Sequence, residues 1–117
     1  MQLHVKGKNL EVSESIRSYA ERKLAKLDKS VHENTRVEVE LAVERNPSVA
    51  ENQIAEATVR LKGHTLRARE ATRDMKASID ELAEKLVRQV HDERDKKVKR
   101  RKIDKHALDA GAGTSDL

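Results

Sequence analysis

The chain has no cysteine, tryptophan or phenylalanine, and in 117 residues it has one tyrosine, one proline and four glycines. The lack of cysteine excludes disulfides and thiolate metal sites and fits a reducing compartment. With Tyr19 as the lone aromatic residue, stacking of single-stranded bases on exposed rings is disfavoured. Any nucleic-acid contact should therefore run through phosphates, sugars and shape. No apolar run approaches membrane-spanning length, and the opening MQLHVKGKNLEV has no apolar signal core. The expectation is a cytoplasmic protein without membrane contact.

What the chain does have is charge: 39% of residues are charged and 36% hydrophobic, with a net charge of +4. A core must come from an economical use of Val, Leu, Ile and Ala on regular faces, and the length suits one domain. The cations are unevenly spread. Residues 1–90 hold 17 Lys and Arg against 15 Asp and Glu, whereas 94–105 holds eight against two. This separates an expected domain over 1–93 from a basic extension and flexible tail over 94–117.

Periodicity organises the first part. Leu3 and Val5 alternate with polar neighbours up to Gly7, as in a short half-buried strand. Ser13 is placed to cap a helix whose apolar positions Ile16, Tyr19, Ala20, Leu24 and Leu27 recur to about Lys29. Val37, Val39, Leu41 and Val43 alternate with Glu38, Glu40 and Glu44, predicting a strand with one wet, acidic face. Asn46, Pro47 and Ser48 form a turn, and Ala55, Ala57, Val59 and Leu61 mark the next strand, paired antiparallel. A tight connection through Gly63 leads to a shorter strand with Leu66 and Ala68. From Thr72 or Asp74, the stripe Met75, Ile79, Leu82, Leu86 and Val90 predicts a long helix. Arg94 to Lys102 is either its solvated extension or a disordered basic arm. The fold class is α+β in the order β-α-β-β-β-α, a four-stranded sheet with two helices packed on one face.

Catalytic and metal signatures are absent from the sequence. His4, His32, His64, His91 and His106 share no ligand spacing, and no nucleophile elbow, Walker loop or dinucleotide fingerprint occurs. The paired glutamates face water from one strand, which suits solvation rather than acid–base work. An enzyme is not expected, nor a cofactor or small-molecule substrate. The remaining signal is basic. Arg22, Lys26 and Lys29 form a row beside the first helix's apolar stripe, and Lys85 and Arg88 lie beside the second's. The rows are expected to meet on a shared outer surface, continued by Arg94, Lys96, Lys97, Lys99, Arg100, Arg101 and Lys102. With the glutamates on the opposite sheet face, the molecule would be electrically two-sided, a pattern that suits phosphate-backbone binding.

Three stretches carry a family resemblance: Met1 to Lys29, Ala55 to Leu61 (AEATVRL) and Asp74 to Val90 (DMKASIDELAEKLVRQV). In this order they resemble the ribosome hibernation promoting factors, also called ribosome-associated inhibitor A or sigma-54 modulation proteins. The resemblance implies a fold related to double-stranded RNA-binding domains. It also implies binding in the messenger and transfer RNA channel of the small ribosomal subunit, with inhibition of translation in stationary phase or stress. The implied partner is that subunit and its 16S ribosomal RNA, in competition with messenger RNA, transfer RNA and initiation factors. The implied RNA contacts are Arg22, Lys23, Lys26, Lys29, Lys85 and Arg88. One position departs from the pattern: many members have Tyr where this chain has Lys76. The tail from Asp104 resembles the start of the linker that leads to a second domain in long members. Two other readings stand beside this one, a general double-stranded RNA-binding module and a transcription-factor modulator that binds through the charged second helix.

Overall fold

A computed structural model describes the backbone of residues 1–110 and the side chains of residues 1–94. The elements are β1 (Gln2–Gly7), α1 (Glu14–Leu24) continued by a 3-10 helix (Ala25–Lys29), β2 (Arg36–Val43), β3 (Gln53–Leu61), β4 (His64–Thr72) and α2 (Met75–Ala110). The sheet order is β1-β2-β3-β4, with β1 parallel to β2 and the other pairs antiparallel. The parallel pair needs a crossover, which α1 and the 3-10 helix provide.

Local chemistry accounts for the boundaries. The Ser13 hydroxyl accepts from the Ile16 amide at 3.2 Å and caps α1, and the Asp74 carboxylate accepts from the Ala77 amide at 3.2 Å to cap α2. The last stretch of the first helix tightens to 3-10 geometry and closes with the Ser30 amide on the Leu27 carbonyl at 2.8 Å. Gly63, at φ +75°, supplies the left-handed residue of the β3–β4 hairpin. Gly7 has a different reason: a Cβ there would come within 1.9 Å of the Leu10 carbonyl oxygen.

Both helices cover the same face of the sheet, α1 lying over β1 and α2 over β3 and β4. Between them Leu24, Leu27, Val37, Val39, Leu41, Val59, Ile79, Leu82 and Leu86 are fully buried. Each such Leu or Val contributes about 1.5–3 kcal/mol of transfer free energy. Ser78 is also fully buried, and its hydroxyl donates to the Gln53 carbonyl at 2.6 Å, tying α2 to the start of β3. Among the described residues the last in the core is Val90. Beyond it α2 continues as a helix through Arg94 to Lys102, the extended-helix alternative of the two that the sequence allowed.

The uncovered sheet face corrects one expectation. Glu38 and Glu40 do point there, but register sets them among cations from other strands. One row reads His4, Glu38, Thr58, Arg67 and the next Lys6, Glu40, Glu56, Arg69. Lys6 pairs with Glu40 at 3.7 Å and Arg69 with Glu56 at 3.5 Å. The face is a mixed lattice of both signs rather than an acidic side.

Candidate nucleic-acid interface

The outer face of α1 and the 3-10 helix follows directly from the apolar spacing. Ala20, Leu24 and Leu27 are driven into the core, which leaves Arg22, Lys26 and Lys29 exposed in a row along the same element. None of these three forms an ion pair among the described residues. Lys23 lies deeper, toward the seam with α2.

The seam is built around Tyr19 and Asp80. The Tyr19 hydroxyl donates to Asp80 Oδ1 at 2.7 Å, and Lys23 Nζ reaches the same oxygen at 3.6 Å. Three cations gather over the tyrosine ring: Arg22 at 5.4 Å, Lys23 at 5.5 Å and Lys76 at 5.3 Å from its centroid. The hydrogen bond to Asp80 stabilises the neutral phenol, and its carboxylate charge and desolvation act the same way. Together they push the Tyr19 pKa above its ordinary value, against Arg22, which lowers it. One carboxylate thus anchors a ring, and the ring collects three positive charges at one end of the helical surface. Farther along, Ser30 Oγ and His91 Nε2 lie 3.3 Å apart and hold the other end of the seam.

This arrangement keeps some of the expected site and breaks up the rest. Arg22, Lys23, Lys26 and Lys29 share one surface. Lys85 does not join them. Its Nζ pairs with Glu70 of β4 at 3.3 Å, which places it on the flank of α2 away from α1. Arg88 is exposed, but on α2 it stands near Glu84, also exposed, at i and i+4. Lys85 therefore does not extend the α1 row across a shared surface, and Asp80 occupies the Tyr19 end of the seam between the helices. Arg94 is exposed at the far end of the described side chains. Lys96, Lys97, Lys99, Arg100, Arg101 and Lys102 lie outside the described side chains.

The linear pattern missed Tyr19, Lys76 and Asp80 as parts of this surface. Tyr19 was readable only as a core position, and Lys76 only as a departure from a family pattern. Here Lys76 adds a cation to the tyrosine ring of the neighbouring helix. Among the described residues no group of His, Asp and Glu is arranged to hold a metal ion. No described helix is long and apolar enough to cross a membrane.

The family model described as "Sigma 54 modulation protein / S30EA ribosomal protein" matches residues 3–98. A ribosome hibernation promotion factor of Picosynechococcus is 37% identical over 97 residues, covering 82% of this chain and 50% of the relative. A ribosome hibernation promoting factor of Salmonella typhimurium is 35% identical over 96 residues, covering 82% of this chain and 96% of the relative. The chain thus spans half of the first relative and nearly all of the second. Among solved structures, the N-terminal domain of Thermus thermophilus Protein Y superposes with a TM-score of 0.66 at 33% identity, covering 77% of this chain and 96% of that one.

Proposed function

The chain belongs to the sigma 54 modulation protein / S30EA ribosomal protein family, and on that premise we propose that it is a cytoplasmic ribosome hibernation factor. In this reading it occupies the messenger and transfer RNA channel of the small subunit, against 16S ribosomal RNA, and inhibits translation by excluding messenger RNA, transfer RNA and initiation factors. The observation that carries the reading is the row of exposed cations Arg22, Lys26 and Lys29, backed by buried Leu24 and Leu27. A rigid row of unpaired Lys and Arg can meet successive phosphates with little loss of side-chain and backbone freedom and needs no base stacking. Lys23 and Lys76 extend it at the Tyr19 end and Arg94 lies beyond the other, from which the helix carries Lys96, Lys97, Lys99, Arg100, Arg101 and Lys102 onward. Arg88 joins as an outlying contact, and Lys85 contributes by giving up Glu70. The reading assigns no catalytic step, cofactor or small-molecule substrate.

Sedimentation with small ribosomal subunits through sucrose tests it. Stoichiometric binding is expected, weakening with salt at a slope of roughly 0.7–0.9 per phosphate neutralised. Lys26→Glu combined with Lys29→Glu should release the protein from the subunit fraction. Equal affinity for free duplex RNA would instead favour a general double-stranded RNA-binding module. Absence from the subunit fraction at low salt, with salt-insensitive capture of a protein, would favour a transcription-factor modulator.

A further inference from the structure

The uncovered face of the sheet balances its charges row by row, with one exception. Glu40 and Glu56 are direct cross-strand neighbours of like sign, and each is neutralised from its other side, by Lys6 and Arg69. Arg36 and Arg60 are also direct cross-strand neighbours of like sign, but the flanking residues in their row are Gln2 and Thr65. Like charges in that position oppose folding. Both are exposed, and neither has an ion pair among the described residues.

Arg60 also lines a cleft of about 440 Å³ between the turn that precedes β2 and the β3–β4 hairpin, together with His32, Asn34, Thr35, Leu61 and Lys62. Lys62 adds a third cation with no described ion pair. The His32 ring accepts from the Asn34 amide through Nδ1 at 3.2 Å, so in its neutral form Nε2 carries the proton and remains available to donate. Lys62 and His32 border an adjoining cleft together with Arg94, where the basic stretch of α2 begins. Among the described residues no carboxylate lines the Arg60 cleft itself, and Glu93, which borders the adjoining one, lies 3.6 Å from His64.

We infer that this cleft is a second phosphate-binding site, which takes the phosphodiester backbone of an RNA strand at the Arg36–Arg60 end of the sheet, apart from the α1 ridge. Arg60 and Lys62 meet the phosphate, Arg36 adds the field that makes the site attractive to it, and His32 donates through Nε2. RNA as the source of the phosphate rests on the ribosomal reading; the site itself rests on the uncompensated arginine pair.

The test uses the full chain and a double variant, Arg36→Thr with Arg60→Thr, in two measurements. Amide spectra of the labelled protein are followed during titration with a short duplex RNA of mixed sequence. Signals of Asn34, Lys62 and Gly63 should move as well as those of α1. In the double variant, affinity should fall about tenfold, the loss of one charge-assisted hydrogen bond, and the salt slope should fall by about one, since Arg60 is the one of the pair that meets the phosphate. The α1 signals should still respond, and the melting temperature should hold or rise, since a repulsion has been removed. The single variant Arg60→Thr keeps the test valid if the double variant fails to fold. Cleft signals that stay still while α1 responds, or wild-type RNA affinity in the variants, would overturn the site. Subunit sedimentation separates the two ideas: cleft shifts with RNA but no ribosome binding would support the cleft and sink only the ribosomal reading.

Discussion

At the scale of single residues, Tyr19 links charge to packing. Its neutral hydroxyl is the form that Asp80 stabilises, so the folded-state pKa lies above the unfolded value of about 10. The linkage has a definite sign. The contribution is fully present below the unfolded pKa and is lost as pH rises through the folded one. Because Tyr19 is the only aromatic residue, the ultraviolet absorbance of its phenolate reports this titration without interference. Asp80→Asn should bring the titration back toward the ordinary value and weaken the hold on Lys23. An unchanged titration in that variant would mean that the hydrogen bond does not form in solution. Lys76→Tyr should reduce salt-dependent RNA affinity modestly by removing one of the three cations around the ring.

At the scale of elements, the caps and the Gly7 approach make the sharper predictions. Ser13→Ala should cost about 1 kcal/mol in chemical denaturation by orphaning the Ile16 amide. Gly7→Ala should cost about 1–3 kcal/mol, toward the upper end, because the new Cβ meets a backbone carbonyl and not a side chain that can rotate away. The elements themselves were largely legible before the structure, since alternation in Val37 to Val43 and the stripe from Met75 to Val90 each admit one period. The parallel pairing of β1 with β2 was not legible, because both edges of a hairpin sheet accept a further strand and periodicity does not choose between them. Lys85 shows the same limit on a helix. Its spacing from Leu82 and Leu86 places it beside the apolar stripe but does not say whether that flank faces α1 or β4. Only the docking of α2 against Glu70 decides it.

At the scale of the whole molecule, charge was the least legible property. The glutamates of β2 were visible as an alternating row, but the cations that surround them come from β1 and β4, and register across strands is not written in any one of them. The α1 ridge was legible because its apolar and cationic rows lie on one continuous element. A chain ending after Arg94 tests how the molecule divides. Among the described residues the core ends at Val90, and this truncation should unfold with nearly the same midpoint as the full chain. Its affinity for the small subunit should fall steeply at physiological salt and less at low salt, since the missing residues act through charge. A truncated chain that binds as tightly as the full one would remove the basic extension from the interface.

The Tyr19–Asp80 contact joins residues 61 positions apart, one on the first helix and the other on the last. During synthesis, the cationic ridge is made before the sheet's last three strands, and the helix that anchors it is made after them. A nascent chain therefore carries the ridge without its anchor, and the surface sets only once α2 is available to dock. If that surface recognises ribosomes, order of synthesis alone delays its completion until α2 has been made, which spares the ribosome that is making it.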